Sequence, residues 1–242
     1  MSLTEIYPKT NQKVKSYLWM ILLFDIVVLG LTILRAVLNE KTPMRYFDET
    51  GIISWFSCLK LLVLSGLAWR ISWVRKKVNI KGKKAPQNLW KLISIGFFYL
   101  AIDEIAQIHE AVDWLIHWVF QIPETRLTDS FDDVIVVFYS IVGGYFLYDF
   151  RDEFKRYFQT FSLFILAFVL KGIMVVFDVY TNDEMILSAW FNNPEDQKMM
   201  LDWLKTIEDS FKILAEGVFI AAFLACLQIA KRITRQQLTE LK

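Results

Sequence analysis

The chain has 242 residues, of which 55% are hydrophobic and 16% aromatic, and its mean hydropathy is +0.36. A soluble domain of this size could not bury so much apolar side chain, so part of it is expected to face lipid. The net charge of +1 excludes the strong basic or acidic field that is typical of proteins that bind nucleic acid or other polyanions.

Six apolar segments are predicted to cross the membrane. A helix of about 20 apolar residues spans the hydrocarbon core of a bilayer, and six stretches reach this length if a few interior charges are tolerated. Four prolines fall in the connections, as expected of residues that end helices. We therefore predict an all-α fold, a polytopic membrane helical bundle of about six transmembrane helices, that forms one domain over residues 1–242. The predicted spans are 17–38, 52–74, 88–108, 131–150, 158–180 and 201–230.

Lysine and arginine residues concentrate in alternate connections. Because basic connections remain in the cytoplasm, this pattern predicts a multi-pass protein of the cell membrane, the inner membrane in a bacterium, with both termini cytoplasmic. Contact of the most basic connection, which holds Arg75 to Lys84, with anionic lipid headgroups is a further interpretation. The basic side carries Arg75, Lys76, Lys77, Lys81, Lys83 and Lys84, then Arg151, Lys155 and Arg156, then Lys231, Arg232 and Arg235; the other side carries only Lys41, Arg45, Arg126 and Lys198.

The cysteines and histidines restrict the chemistry. Cys58 and Cys226 lie in apolar segments without a CxxC pair, so no disulfide framework is expected. His109 and His117 lie on one predicted helix, which excludes a haem held by two histidines from different helices of one chain. The many Trp and Phe residues are interpreted as packing and interfacial residues rather than as a cofactor site, and no cofactor-binding residue is predicted.

The third span ends in a charged, amphipathic segment, AIDEIAQIHEAVDWLIH. In one continuous helix the seven-residue spacing would place Asp103, Glu110 and His117 on one face, while Glu104 and His109 point to other sides. A helix over residues 88–120 would be about 50 Å long, more than a bilayer accommodates, so it is expected to protrude or to bend near His109.

The sixth span carries a stripe of alternating charge at steps of three and four residues. Ionisable residues inside a membrane usually face a cavity or pair with one another, and here acids outnumber lysines, so a cation or a proton is the expected partner. Asp25 and Lys171 are expected to pair inside the bundle without a functional role. The predicted cation or proton site comprises Asp103, Glu104, Glu110, Glu208, Asp209, Lys212 and Glu216.

Three pieces of the chain resemble a group of uncharacterised bacterial multi-pass membrane proteins with W-F-S and D-E-x4-H-E signatures. The pieces are FDETGIISWFSCLKLL (47–62), AIDEIAQIHE (101–110) and IEDSFKILAEG (207–217). This resemblance draws attention to the W-F-S and D-E-x4-H-E residues but implies no reaction. The chain is also similar, more weakly, to intramembrane zinc hydrolases of the alkaline ceramidase type. This resemblance would imply roles at the zinc site for Ser57, Glu104 and His109. Two histidines are fewer than a catalytic zinc usually needs.

Three functions remain open at this stage. The first is a transporter, channel or sensor that binds or conducts cations or protons at an outward-facing acidic site. The second is a metal-dependent enzyme that acts on a lipid, with Glu104, His109 and Glu110 as tentative ligands of a divalent metal ion. The third is a structural or accessory subunit of a membrane complex. Membrane lipids and cations or protons are the predicted partners, a homo-oligomer is left open, and no catalytic residue is assigned.

Overall fold

The computed structural model describes residues 7–39, 42–48, 51–78, 80, 82–121, 141–181 and 193–240. Within these residues all regular secondary structure is helical, which confirms the predicted all-α class. The helices are α1 (Tyr7–Leu38), α2 (Met44–Phe47), α3 (Ile52–Lys76), α4 (Pro86–Ala106), α5 (Ile108–Phe120), a helical stretch at residues 141–149, α6 (Arg151–Phe154), a 3-10 helix (Lys155–Thr160), α7 (Phe161–Thr181) and α8 (Pro194–Glu240).

Four helical stretches are long and apolar enough to cross a membrane. They are Gln12–Leu38, Met44–Lys76, Arg151–Asp178 and Pro194–Glu240. They contain the first, second and sixth predicted spans and all but the last two residues of the fifth. Helix α4, at the third predicted span, is about 32 Å long but is not one of the four stretches, and it carries the three charged residues Lys91, Asp103 and Glu104. The fourth predicted span is described only from residue 141 onward. The predicted number of six spans therefore stays a prediction.

Helix α8 forms the centre of the bundle. It packs against α1, α3 and α7, and α3 in turn packs along α4. The middle of α8 is rich in small residues, which allow neighbouring helices to approach closely where no large side chain intervenes. The buried small residues of α8 are Ala215, Gly217, Ala221, Ala222, Ala225 and Ala230.

The two ends of the bundle differ in charge. The basic end is the one where α3 finishes and where α8 carries Lys231 and Arg235. The far end is the opposite one, where α8 begins at Pro194. By the positive-inside pattern, the basic end is the one predicted to face the cytoplasm.

Aromatic side chains fill the interior between the middle of the bundle and its basic end. Their rings meet mostly edge to face, the arrangement that the ring quadrupoles favour, with centroids 4.9 Å apart for Trp90 and Tyr157 and 5.4 Å apart for Phe97 and Phe223. The same half of the bundle also contains the buried polar contacts Ser65–Ser94 and Arg75–Glu153. The group of rings is called the aromatic cluster, and it comprises Trp90, Phe97, Tyr157, Phe164, Phe219 and Phe223.

Gln107 breaks the predicted long helix after α4. Its backbone has φ 50° and ψ 45°, the left-handed conformation that ends a helix, and α5 starts at the next residue. The expected bend is thus confirmed, two residues before His109. The prediction of one continuous face is wrong, because the break changes the helical phase between Asp103 in α4 and Glu110 and His117 in α5.

Arg75 joins three segments at the basic end. The Arg75 guanidinium makes a two-pronged ion pair with Glu153, with Nε 2.8 Å from Oε1 and Nη2 3.0 Å from Oε2. Its Nη1 also donates to Thr234 Oγ1 (3.2 Å) and Gln237 Oε1 (2.9 Å), and the Tyr157 hydroxyl donates to Glu153 Oε1 (3.1 Å). Arg75 is one of the basic residues that predict the orientation in the membrane, but its side chain is fully buried and holds helices together.

Candidate functional site

Four polar residues meet at the middle of the bundle, and we call them the midspan cluster: Asp25 of α1, Ser57 and Lys60 of α3, and Glu216 of α8. The Lys60 Nζ lies 2.9 Å from Asp25 Oδ2. Ser57 Oγ donates a hydrogen bond of 2.7 Å to Glu216 Oε1. None of the four residues is more than 4% exposed, so the ion pair and the second carboxylate are enclosed by three helices.

The local sequence explains why these side chains converge. Ser57 and Lys60 are three residues apart and therefore lie on the same face of α3, toward α8. On α8, Ile213 and Glu216 have the same spacing. The Ile213 carbonyl accepts a 2.5 Å hydrogen bond from Lys60 Nζ. Lys60 is thus tied to α8 by the backbone and to α1 by Asp25.

Both carboxylates of the midspan cluster keep one oxygen without a partner. Among the residues that the structure describes, Asp25 Oδ1 and Glu216 Oε2 are buried and have no hydrogen-bond partner. A buried polar atom without a hydrogen bond costs free energy, on the order of 1–3 kcal/mol and more for a charged group. Each of these oxygens is therefore a place where a proton or a cation would relieve that cost.

A second charged group consists of Lys212 and Asp209 of α8 and Glu104 of α4, and we call it the Lys212 cluster. It lies next to the midspan cluster, on the side of the far end. The Lys212 Nζ lies 2.5 Å from Glu104 Oε1 and 3.7 Å from Asp209 Oδ1. Lys171 of α7 interacts electrostatically with Glu216, Lys212, Glu104 and Asp209. The two clusters therefore form one electrostatic unit.

The charged residues of α8 lead from the far end toward the middle. Glu208 Oε2 accepts a hydrogen bond of 3.3 Å from Thr181 Oγ1 near the end of α7. From Glu208 to Glu216 the helix rises about 12 Å, so these acids and Lys212 form a polar route through about half of a helix that crosses a bilayer. Beyond Glu216, toward the basic end, the interior is filled by the aromatic cluster.

Most of the predicted site residues come together. The acidic faces of the third and sixth predicted spans meet where Glu104 pairs with Lys212, a contact that sequence could not settle. Asp103 is buried in the last turn of α4. His109 and Glu110 belong to α5, but their side chains lie outside the described residues. The other predicted residues, Glu208, Asp209, Lys212 and Glu216, lie on the interior side of α8.

Three central residues were not in the predicted site: Asp25, Ser57 and Lys60. The expected pairing of Asp25 with Lys171 is wrong, because Asp25 pairs with Lys60, and Lys171 Nζ lies 3.4 Å from Met174 Sδ. The available signal was the presence of one acid and one base in the apolar first and second spans, since such residues usually pair within the bundle.

The metal hypothesis has no geometric support in the part of the chain that is described. There, no group of three or more His, Cys, Asp and Glu side chains could hold a metal ion. Of the three tentative ligands, Glu104 is engaged by Lys212, and the side chains of His109 and Glu110 are not described. The proposed ligand set therefore stays a prediction.

Gly217 allows α1 to approach α8 at the midspan cluster. A Cβ at this position would overlap Asp25 Oδ2 and lie 3.1 Å from Ile21 Cγ2. We expect Gly217→Ala to push α1 away and to weaken the Asp25–Lys60 ion pair, with a loss of about 1–3 kcal/mol, the usual cost of overpacking. The measurement is thermal unfolding in detergent.

The matched control for this prediction is Gly30→Ala. Gly30 also lies within a helix, but no atom would lie within 4 Å of an added Cβ. This substitution is expected to raise the stability slightly, by up to about 1 kcal/mol, because alanine favours a helix. Equal effects of the two substitutions would contradict the assigned close approach at Gly217.

These features define the class of the protein: an all-helical protein with several helices long and apolar enough to span a membrane and with a buried cluster of charges at its centre. The chain belongs to the family described as a domain of unknown function (DUF8692), whose model matches residues 18–227. The matched region includes every residue of the midspan and Lys212 clusters. No curated protein and no solved structure matches the chain.

Proposed function

We propose that the protein binds and releases a proton, or a small cation in its place, at the midspan cluster. The observation that carries this proposal is the pair of buried carboxylates beside one lysine, each with one oxygen that has no partner among the described residues. A group that only ties helices together would be expected to use both oxygens of each acid.

The charge balance supports the same conclusion. Glu208 and Lys205 interact electrostatically with Asp209 and belong to the same charged group. The group then has five carboxylates and four lysines, so full ionisation leaves one negative charge in excess. An uncompensated charge within a bilayer is costly. Binding one proton or one monovalent cation would make the group neutral. The carboxylates are Asp25, Glu104, Glu208, Asp209 and Glu216, and the lysines are Lys60, Lys171, Lys205 and Lys212.

The positions of the polar side chains support exchange of the proton or cation with one side of the membrane only. Polar groups connect the far end with Glu216, whereas the aromatic cluster fills the interior between Glu216 and the basic end. If the basic end is cytoplasmic, as the positive-inside pattern predicts, the site exchanges with the outside. Such an arrangement fits a sensor, or one closed state of a transporter, better than a continuous pore.

Protonation would also change how the helices are held. The attraction of Lys60 for Asp25 depends on the negative charge of the carboxylate, and a proton on Asp25 removes it. The ion pair of Asp25 with Lys60 joins α1 to α3. Protonation of Asp25 would remove this attraction and so loosen α1 from the bundle. The site would thus couple proton binding to helix packing.

Infrared difference spectroscopy of the purified protein tests the proposal. A shift of pH should change the C=O stretching band of a carboxylic acid in an apolar environment, and Glu216→Gln or Asp25→Asn should remove this change. The matched control is Asp152→Asn, which removes an exposed carboxylate at the basic end. A wild-type protein without any such pH-dependent band would favour the alternative in which the cluster is purely structural.

A further inference from the structure

A basic groove lies at the basic end, between the last turns of α3 and the corresponding part of α8. It encloses about 540 Å³. Four basic side chains line it: Arg70 of α3, Lys77 directly after the end of α3, and Lys231 and Arg235 of α8. No acid is found among the residues that line it. The groove therefore carries a concentrated positive charge that no lining residue offsets.

The remaining lining residues are suited to a molecule that is partly apolar. Trp73 and Leu238 contribute apolar surface, and Trp73 is 61% exposed. The Thr239 hydroxyl donates to the Arg235 carbonyl (3.0 Å), so the basic side chains are the donors that remain for an anionic oxygen. Tryptophan is the residue that most often marks the depth of lipid headgroups.

Buried contacts of Arg75 fix the shape of the groove. Arg75, which is next to the lining residue Val74, pairs with Glu153 and donates to Thr234 of α8. These contacts fix the distance between α3 and α8 at the level of the groove, so a ligand would not have to organise the site. Preorganisation of this kind lowers the entropic cost of binding.

The groove straddles the boundary between the apolar core and the headgroup layer. Arg70 lies four residues before the end of the second predicted span, and Lys77 lies three residues beyond it, so the two are about 10 Å apart along the helix axis. Lys231 directly follows Ala230, the last residue of the sixth predicted span. The polar layer of each leaflet is about 5–8 Å thick, so the groove reaches from this layer into the edge of the hydrocarbon.

We propose that this groove binds the phosphate headgroup of an anionic glycerophospholipid of the surrounding membrane. Two arginines and two lysines recognise the phosphate and any further negative charge. Trp73 and Leu238 contact the glycerol and the start of the acyl chains. A lipid accounts for both the charge and the apolar wall, whereas a free phosphate ion would use only the charge. This site is independent of the midspan cluster.

Native mass spectrometry of the detergent-purified protein tests this assignment with phosphatidylglycerol and phosphatidylcholine. The test variant is Lys77→Gln with Lys231→Gln, and the matched control is Lys76→Gln with Lys83→Gln, two exposed lysines of the same side that do not line the groove. In the wild-type protein phosphatidylglycerol is expected to bind in preference to phosphatidylcholine. The test variant should bind phosphatidylglycerol about thirtyfold more weakly, and the control should stay near the wild-type affinity.

Three results would overturn the proposal. Equal weakening in the test variant and the control would mean that only the total charge matters. Equal binding of the two lipids to the wild-type protein would exclude recognition of the anionic headgroup. Binding of soluble glycerol phosphate to the wild-type protein as tightly as the lipid would assign the groove to a soluble anion instead. Unchanged thermal unfolding of the test variant confirms that it is folded.

Discussion

Lys60→Met is expected to destabilise the protein by about 3–5 kcal/mol, because it leaves Asp25 buried without its cationic partner. It also removes the hydrogen bond to the Ile213 carbonyl and the positive charge next to Glu216. Methionine has a similar length to lysine, so the loss reports the charge rather than a cavity. Thermal unfolding in detergent is the measurement.

The double variant Asp25→Asn with Lys60→Met separates stability from function. Removing both charges of a buried pair usually costs much less than removing one, so the double variant should recover a large part of the lost stability. If the midspan cluster handles protons, the same double variant should still lack the Asp25 part of the pH-dependent infrared change. A single variant that is as stable as the wild-type protein would show that Asp25 and Lys60 do not pair.

Arg75→Met should destabilise the basic end by about 3 kcal/mol, the lower end of the cost of breaking a buried ion pair. The substitution removes the guanidinium that meets both oxygens of Glu153, but Arg156 Nε remains 3.4 Å from Glu153 Oε2. It also removes the two hydrogen bonds that Arg75 donates to α8, at Thr234 and Gln237. Thermal unfolding and resistance to proteolysis measure the loss.

The neighbouring Lys76→Met is the matched control for this prediction. Lys76 is exposed and next to Arg75 in the chain, so its loss should change stability by no more than about 0.5 kcal/mol. Arg75→Lys should recover only part of the stability, because an ammonium group cannot meet the two carboxylate oxygens as a planar guanidinium does. Full recovery by Arg75→Lys would contradict the importance of the two-pronged pair.

The predicted common face of the charged residues on α8 agrees with the structure, because that argument rested on positions along one helix; the role of these residues as a cation or proton site stays a prediction. Asp209, Lys212 and Glu216 are spaced by three and four residues, and this spacing predicts a common face whatever surrounds the helix. The prediction that one helical face continues from α4 through Gln107 into α5 was wrong. A left-handed residue there interrupts the helical phase, and glutamine carries no strong sequence signal for that conformation.

The sequence by itself determined that the chain is helical and suited to a membrane, because the length and apolar character of a span are properties of consecutive residues. It also showed which ionisable residues lie in apolar segments. Only the tertiary structure decided their partners: Asp25 with Lys60, Ser57 with Glu216, Glu104 with Lys212, and Arg75 with Glu153. These contacts join helices that are far apart in the chain, and their register and rotation depend on packing. Small residues such as Gly217 set how closely two helices approach, and that approach selects which charges meet.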